Sequence, residues 1–473
     1  MRHILWGTGL SGKINLDFLT RVNKFPDYIC CNDSKLWGKM FYGIKIISPE
    51  QLKSYIKTEQ IFVYIASYAY FEIKEQLLSI GLDENHILRA QFPYYNTYKR
   101  EYDFLLNKNL PTVNINTNRK KGYIFDLYVG TSLGGVASWV YSQQKIFQKN
   151  NIDIVTILPS DVIYKKENIT GPSEIIERSE KNGLYEGVLA YLLTSDYSSF
   201  INMTICESFV ASCKAKAILG DHFTNIVVVH GDFEPYYMAY ANFEKYIDFY
   251  LVISERIYQR FLELGIPKNK IVKLEWNVDF NFDNRKYSPK ENPLQITYFG
   301  RLTVGQKRCD LLIPLVKKLN EIKVNYILNI AGSGTYEAEL KDKFRSLNLK
   351  SFVNFVGEIK NCDVESYLEK QDIFISCTEY EGHSIAQYEV IGCGCVPVVT
   401  DVSGASDDIE EGYNGYIVKI GDIEDMSKKI KKLDDDRALL EIMGLRGRNK
   451  IIKNNLKENA LLKIAKEKVP LQK

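Results

Sequence analysis

The feature that most constrains the fold of this chain is a regular alternation of strand-like and helix-like segments between residues 295 and 376. Short apolar runs alternate there with longer amphipathic runs. This order predicts an α/β architecture with a parallel, doubly wound sheet, whose ligands bind at the carboxyl ends of the strands. The predicted strands are Gln295–Phe299, Tyr326–Ile330, Val353–Val356 and Ile373–Ser376, and the predicted helices are Asp310–Lys323, Tyr336–Leu347 and Val364–Glu369.

Two glutamates follow the last of these strands. Glu381 and Glu389 stand eight positions apart, across a loop that is predicted to become a helix near Ser384. A helix that begins there directs its free backbone N–H groups at the loop and offers an anion site. Glu381 then lies beside that site, and Glu389 lies over a turn further along, where it can reach a polyol such as a ribose. A solvated helix face is the alternative, but the adjacent Gly382 favours a ligand site.

A basic cluster follows the first predicted strand. That strand ends at Gly300, Arg301 comes directly after it, and Lys307 lies in the same loop. Both side chains suit a diphosphate, because Arg presents a planar fork of donors and Lys presents a compact point charge. The alternative is an ordinary basic loop on the surface.

Residues from about Gly122 to about Lys453 resemble the family 4 glycosyltransferases, which are retaining enzymes of the two-domain GT-B fold. The resemblance rests on several motifs that occur in the family's order. They are Glu381 to Glu389, Gly300-Arg301-Leu302 with Lys307, Ala331-Gly332-Ser333-Gly334, Val356-Gly357-Glu358, Asn277-Val278-Asp279 (which lacks the family's Gly) and His230 after the strand Ile226–Val229.

The resemblance implies metal-independent transfer from a nucleoside-diphosphate sugar, with a UDP-sugar favoured over a GDP-sugar and no cofactor required. The implied catalytic residues are Arg301, Lys307, Glu381 and His230. The implied donor-binding residues are Gly134, Gly135, Gly300, Ser333, Gly334, Glu358, Gly382, His383, Ser384, Ile385 and Glu389.

Each implied role follows the family's chemistry. Arg301 and Lys307 neutralise the leaving diphosphate, while Glu381 holds the transferred sugar and Glu389 holds the ribose. His230 contacts a sugar hydroxyl or the reacting centre, and a buried His bonded to backbone is the alternative. No residue is placed as a covalent nucleophile, so the resemblance implies front-face attack in which the leaving phosphate helps to take the acceptor's proton.

Two departures from the family pattern concern the donor loops. The gap from Arg301 to Lys307 is one residue longer than in many members, so the Lys approaches from a different angle. His383 and Ser384 replace a frequent Phe-Gly pair. Because that loop touches the sugar, the change leaves the identity of the donor open.

The first 115 or so residues form a separate α/β unit. Gly7, Gly9 and Gly12 follow a short strand, and Asp33 ends the next strand, 21 residues past Gly12. This is the layout of a dinucleotide fingerprint, in which glycines admit a phosphate and the acid bonds a ribose. The unit, with its Gly43–Leu52 segment, resembles Rossmann-like modules joined to polysaccharide enzymes. NAD or another nucleotide is one reading, and a structural or docking role is the other.

The predicted organisation is therefore a GT-B fold, two Rossmann-like domains facing a cleft, preceded by a smaller Rossmann-like module. The module covers residues 1–115, the acceptor domain 120–288 and the donor domain 289–455. Residues 456–473 are expected to form a C-terminal helix or tail that packs back toward the acceptor domain. The segment from Ser160 to Cys213 carries no recognisable motif.

The composition of the chain argues against several classes of partner and site. The 61 basic and 59 acidic residues nearly cancel, so nucleic acid is not an expected partner. No apolar run approaches the ~18–20 residues that span a bilayer, and the first residues lack a signal-peptide pattern; the expected location is the cytoplasm, with peripheral association at the inner membrane face as an option. The nine cysteines lack metal-site spacing, no metal is expected, and Asp434-Asp435-Asp436 is interpreted as a solvated helix face.

The function expected from this reasoning is a retaining, hexosyltransferase-type glycosyltransferase. Its acceptor is a glycan or a lipid-linked glycan, in a pathway that makes bacterial surface polysaccharide such as capsule, where it works alone or in a biosynthetic complex. Two alternatives stay open: a non-catalytic partner that only binds sugar nucleotides, and an NAD-dependent sugar-modifying activity in the N-terminal module.

Overall fold

The structure is a computed structural model, which describes residues 2–8, 26–41, 43–65, 70–89, 106, 113–126, 135–160, 172–177, 184–203, 205, 207–232, 234–274, 285–455 and 459–467. The chain separates into two compact units, Met1–Asp103 and Phe104–Lys473. Each unit is an α/β structure built on parallel strands, so the predicted fold class is confirmed.

The first unit contains a six-stranded sheet in the order β3-β4-β2-β1-β5-β6. Only the β3–β4 pair is antiparallel. Ser48 caps the first described helix: its hydroxyl accepts from the Gln51 N–H while the Gln51 side chain accepts from the Ser48 N–H, which satisfies two free donors of the helix end. The elements are β1 Arg2–Trp6, β2 Tyr28–Cys30, β3 Met40–Phe41, β4 Ile44–Ile47, α1 Pro49–Ile56, β5 Ile61–Ile65, α2 Tyr70–Ser79 and β6 Ile87–Arg89.

The second unit contains two parallel sheets. The first has seven strands in the order β13-β12-β11-β10-β7-β8-β9, and we call it and its helices the first lobe. Phe249–Val252 is buried along its whole length, and Thr224–Val229 is buried from its second residue and apolar from its third, as expected for a parallel sheet covered on both faces. The elements are β7 Lys120–Asp126, α3 Gly135–Lys149, β8 Ile154–Pro159, β9 Ser173–Ile176, α4 Tyr185–Thr194, β10 Tyr197–Asn202, α5 Glu207–Leu219, β11 Thr224–Val229, α6 Glu234–Asn242, β12 Phe249–Val252, α7 Glu255–Glu263 and β13 Ile271–Lys273.

The second sheet of this unit has six parallel strands in the order β16-β15-β14-β17-β18-β19, and we call it and its helices the second lobe. The strand order reverses between β14 and β17, so the carboxyl ends of these two strands flank a crevice of the kind that binds ligands in doubly wound folds. The elements are β14 Leu294–Phe299, α8 Leu312–Glu321, β15 Tyr326–Ala331, α9 Glu337–Ser346, β16 Val353–Gly357, α10 Val364–Leu368, β17 Ile373–Ser376, α11 Ile385–Gly392, β18 Val396–Thr400, α12 Ala405–Asp408, β19 Tyr416–Val418, α13 Ile423–Asp435, α14 Arg437–Asn455 and α15 Ala460–Glu467.

The last helix contacts the first lobe through its cap. Asn459 accepts from the N–H of Leu462 at the start of α15 and donates its amide to Gln143 on α3 at 2.9 Å. Both side chains are buried. The chain therefore returns from the second lobe to the first at its carboxyl end.

The interpretation of the three aspartates as a solvated helix face is wrong for Asp434. Its side chain is 3% exposed, pairs with Arg437 at 2.7 Å and accepts from the Asn325 N–H at 3.3 Å. A buried carboxylate needs such partners, so Asp434 joins α13 to the start of β15. Asp435 is exposed as predicted and pairs with Lys431.

Candidate functional site

The loops that follow β14 and β15 are packed together without intervening side chains. A Cβ on Gly332 would lie 2.0 Å from the Gly300 carbonyl oxygen, and a Cβ on Gly334 would lie 2.3 Å from that of Leu302. Gly332 also has a φ of +131°, which residues other than glycine rarely adopt. The glycines therefore hold Gly300 and the residues after it against the neighbouring strand end.

The predicted basic and acidic clusters meet in the second lobe. The Lys307 ammonium forms an ion pair and hydrogen bond with the Glu381 carboxylate, and each side chain is 17% exposed. Arg301 donates to the Gln306 side chain at 2.8 Å, and Gln306 in turn donates to the Tyr380 carbonyl at 3.2 Å. The residues proposed from sequence to hold a diphosphate and a sugar are thus neighbours, although their direct pairing was not predicted.

Glu389 lies on α11, the helix that begins after the acidic loop. Ser384 is its N-cap, with a hydroxyl that accepts from the Gln387 N–H at 3.2 Å, and Ile385 is its first residue. The helix start near Ser384 is confirmed. Burial raises the pKa of the Glu389 carboxyl to about 7, because removing a carboxylate from water disfavours its charged form. This carboxyl is therefore partly protonated near neutral pH.

The acidic loop also touches the first lobe. A Cβ on Gly382 would lie 2.0 Å from the His230 carbonyl oxygen and 2.8 Å from Ile253 Cδ1. His230 follows β11 and Ile253 follows β12, so the loop meets the carboxyl ends of two strands of the other sheet. Only glycine fits at this contact.

His383 is bonded at both ring nitrogens, and its Nδ1 contact joins the two lobes. Its Nδ1 lies 2.6 Å from the Ile253 carbonyl oxygen, and its Nε2 lies 2.7 Å from Asp408 Oδ2. Both ring nitrogens are therefore bonded within the protein. The donor-binding role of His383 stays a prediction, as does the identity of the donor sugar.

His230 carries a ring nitrogen that is not satisfied. Its Nε2 is buried, and no hydrogen-bond partner for it occurs among the described residues. Burial lowers the pKa of His230 to about 4, so the imidazole is neutral at physiological pH. Trp139 on α3 packs edge-on against the ring at 6.3 Å. The alternative of a buried His bonded to backbone therefore does not hold for Nε2 among the described residues.

The remaining donor-side predictions fall at strand ends or outside the described residues. Ser333 donates its hydroxyl to the Glu358 carboxylate, joining the loops after β15 and β16. A cavity of about 340 Å³ lies beside this point, lined in part by Glu358, Lys360 and Tyr367. Gly135 is the first residue of α3. Gly134 and the Asn277-Val278-Asp279 element lie outside the described residues.

In the first unit, only part of the predicted fingerprint is described. Gly7 has a φ of +138° and its N–H donates to the Cys30 carbonyl at 3.0 Å. The Asp33 carboxylate accepts from the Lys35 N–H at 3.0 Å, within its own turn. Gly9 and Gly12 lie outside the described residues, so the nucleotide site of this module stays a prediction.

Several residues around the site were not predicted from sequence. Arg308 binds Glu379 at 3.0 Å and Asp310 at 3.2 Å, and the amide of Gln387 donates to Asp408 at 3.0 Å. The adjacency of Arg308 to Lys307, and of Glu379 to Glu381, was the available signal. Which carboxylate each cation meets depends on how the two loops face each other, which the sequence pattern does not specify.

Among the described residues, no group of three or more His, Cys, Asp or Glu side chains could hold a metal ion. In the same part of the chain, no helix combines the length and apolar character needed to cross a bilayer.

Comparison with known families identifies two segments. Residues 279–450 match the family described as "Glycosyl transferases group 1". Residues 1–88 match the family described as "C2185-like, N-terminal". The first match contains the basic and acidic loops of the second lobe, and the second match falls within the first compact unit.

Among named relatives, the chain is 28% identical over 214 residues to the capsular polysaccharide biosynthesis glycosyltransferase CapM of Staphylococcus aureus. That alignment covers 42% of this chain and 56% of CapM. The chain spans about half the length of the curated relatives it matches.

Two solved structures show the same fold at low identity. A mutant of S. aureus TarM, solved with fondaparinux, alpha-GlcNAc-glycerol and UDP, has a TM-score of 0.60 and 14% identity over 73% of this chain and 98% of its own. Anabaena HepE in complex with UDP has a TM-score of 0.59 and 16% identity, over 71% and 97% respectively. The second unit therefore has the predicted GT-B fold.

Proposed function

We propose, from the match of residues 279–450 to the group 1 glycosyl transferases, that the chain is a retaining, metal-independent glycosyltransferase. It transfers a sugar, of the hexose type, from a nucleoside-diphosphate sugar to a glycan or lipid-linked acceptor. The observation that carries the proposal is the Lys307–Glu381 pair beside Gly382, at the point where the loops of the two lobes touch.

The positions of Arg301 and Lys307 in the second lobe support a binding site for the diphosphate. Lys307 and Arg301 follow β14 at the switch point of the sheet, and the N-terminus of α11 begins a few residues from Glu381. Positive groups fixed before the reaction stabilise the charge that develops on a leaving group, and the loss of one such group costs about two to three orders of magnitude in turnover. In this proposal both side chains bind the leaving diphosphate.

The two glutamates hold the sugar parts of the donor. Glu381 accepts hydrogen bonds from hydroxyls of the transferred sugar, and Glu389 accepts from the ribose. His230 is neutral, and its buried Nε2 has no hydrogen-bond partner among the residues that the structure describes. In this proposal it bonds a hydroxyl near the reacting carbon from the side of the first lobe. The cavity beside Glu358 offers room for the base of the nucleotide.

The reaction follows from this placement. The bond between the anomeric carbon and the diphosphate oxygen breaks, and the acceptor oxygen bonds to the anomeric carbon from the same face. The acceptor's proton passes to the departing phosphate oxygen, so no side chain needs to act as a nucleophile. Contact between the lobes at Gly382 and His383 excludes water, which limits hydrolysis of the donor.

The donor and setting are proposed from the relatives. TarM and HepE were solved with UDP, which supports a UDP-sugar over a GDP-sugar. CapM is named for capsular polysaccharide biosynthesis, which supports a role in bacterial surface polysaccharide at the cytoplasmic face of the membrane. We also propose that the module of residues 1–115 binds a nucleotide through Gly7 and Asp33, which calorimetry of the full chain and of Asp33→Ala with NAD and with UDP tests.

The decisive experiment begins with a search for the donor. Thermal shift with a panel of UDP- and GDP-sugars identifies the ligand, because a molecule that binds only the folded state raises the melting temperature. Release of UDP or GDP is then measured for Lys307→Ala, Arg301→Ala and the surface control Lys428→Ala, whose side chain is 65% exposed.

We expect Lys307→Ala and Arg301→Ala each to lower turnover by about two orders of magnitude, with the melting temperature nearly unchanged and the control fully active. Full activity in either site variant contradicts the diphosphate assignment. Donor binding without any turnover, with or without glycan acceptors, identifies the chain as a non-catalytic partner instead.

A further inference from the structure

Arg308, the residue after Lys307, has an unusual backbone. Its φ and ψ are +47° and +41°, in the left-handed region that residues other than Gly, Asn and Asp seldom occupy. Non-glycine residues held in this region cluster at functional sites, where surrounding contacts maintain them. Arg308 lies between the proposed diphosphate ligand and the short helical turn at Cys309–Leu311.

The side chain of Arg308 is held by two carboxylates. The guanidinium, 12% exposed, donates from Nη1 to Glu379 at 3.0 Å and from Nη2 to Asp310 at 3.2 Å. Asp310 is a local partner, whereas Glu379 belongs to the loop after β17. The planar fork of Arg can serve two carboxylates at once, which the single ammonium of Lys does less well.

This contact is one of several that join the two proposed substrate loops. The Glu379 N–H donates to the Gln306 carbonyl at 2.9 Å, and the Gln306 amide donates to the Tyr380 carbonyl. Lys307 pairs with Glu381. These contacts join residues 306–308 to residues 379–381. The Arg308–Glu379 pair therefore secures one end of the segment 379–381, and Glu381 lies at its other end.

We propose that Arg308 is a positioning residue for the transfer reaction, which binds Glu379 and thereby holds Glu381 and Lys307 in register with each other. The inference rests on the proposed function. Arg308 touches neither sugar nor phosphate in this scheme. Its guanidinium fixes the distance between the cation that receives the leaving diphosphate and the carboxylate that grips the sugar.

The test uses a substitution that favours the left-handed backbone conformation and removes the side chain that binds Glu379. Arg308→Gly adopts the left-handed conformation without strain, so any loss of activity reports the side chain. Lys323→Gly is the matched control, because Lys323 has a φ of +55° and an exposed side chain elsewhere in the same lobe. Arg308→Lys keeps the charge and loses the fork, and Glu379→Gln keeps the shape of the partner and loses its charge.

The readouts are steady-state kcat and donor KM with the sugar nucleotide found by the thermal-shift panel. We expect Arg308→Gly to lower kcat at least tenfold while donor KM changes less than threefold, because the diphosphate ligands remain but their register with Glu381 is lost. Arg308→Lys should recover part of the rate. Lys323→Gly should match the wild type in both constants.

A double-mutant comparison decides whether the two residues act together. If Arg308 acts through Glu379, the Arg308→Gly/Glu379→Gln double variant should lose no more activity than the worse single variant, whereas independent effects multiply. Multiplied effects, or wild-type kcat in Arg308→Gly, overturn the proposal. Should Arg308→Gly fail to fold, Arg308→Lys and Glu379→Gln decide: wild-type kcat in both overturns it.

The outcomes also separate this proposal from the proposed function. If Lys307→Ala is inactive and Arg308→Gly is fully active, the positioning role of Arg308 is rejected and the glycosyltransferase assignment stands. Full activity in Lys307→Ala rejects the assignment itself, whatever the Arg308 variants do.

Discussion

Binding of the donor should release a proton from Glu389. Burial raises the pKa of this carboxyl to about 7, whereas a carboxylate that accepts hydrogen bonds from ribose hydroxyls is stabilised in its charged form. At pH 7, about half of the molecules carry the proton, so a bound pKa well below 7 releases up to about half a proton per donor. Donor affinity should therefore rise between pH 5 and 7 and level off above pH 8.

The assay is calorimetry in buffers that differ in ionisation enthalpy, which gives the number of protons exchanged. The ligand should be an intact nucleotide-sugar, because a terminal phosphate titrates near pH 6 and adds its own protons. Glu389→Gln is the control, since it keeps the shape of the side chain and cannot ionise. Equal proton release in wild type and Glu389→Gln refutes the ribose role, and so does donor binding without any release in the wild type.

The same variant has a predicted effect on stability. Glu389 is protonated in both folded and unfolded chains below pH 4.5 and contributes nothing there. As pH rises from 4.5 to about 7, the unfolded chain loses this proton first, so the free energy of unfolding falls, by up to about 3 kcal/mol above pH 7. Glu389→Gln should therefore unfold at a higher temperature than wild type at pH 8 and at a similar temperature at pH 4.5.

Two further predictions concern the contact between the lobes. Gly382→Ala forces a Cβ to within 2.0 Å of the His230 carbonyl, so we expect at least a tenfold loss of transfer and a lower melting temperature; wild-type values for both contradict the observed contact. Asp408 and the Ile253 carbonyl raise the pKa of His383 despite its burial, so its stabilisation is present below pH 6.5 and is lost as pH rises through the folded value. His383→Gln should accordingly lower the melting temperature more at pH 6 than at pH 9, and an equal loss at both values refutes this.

The four strands predicted between residues 295 and 376, which are β14 to β17, match the observed bounds to within one residue at each end. Parallel strands buried on both faces read as short apolar runs. The strand β17 begins with three consecutive apolar residues, and four of the six residues of β14 are apolar. The segment before Cys213 was not predicted, for two physical reasons. β9 is exposed at three of its four residues, and α5 is buried on most of its surface, so neither shows the expected period.

The sequence predicted where the site residues lie along the chain, but it did not predict which side chains bond to each other. Arg301, Lys307 and Glu381 fall at strand ends because glycines and polar residues follow the apolar runs. Which loops meet depends on the crossing of the two lobes, so the bonds of His383 to Ile253 and Asp408 gave no sequence signal. Asp434 was misjudged because a charged run on a helix gives no hint that one member meets a buried Arg437.

The Lys307–Glu381 ion pair has a consequence for the order of events in the proposed cycle. A diphosphate can take Lys307 only if Glu381 finds another partner, and an intact donor supplies one in its sugar hydroxyls. A stray phosphate offers no such replacement and leaves the carboxylate uncompensated. After transfer the sugar departs with the acceptor, and Glu381 competes again for Lys307, which loosens the spent nucleotide. The resting pair thus discriminates against fragments of the donor and hastens the exit of its product.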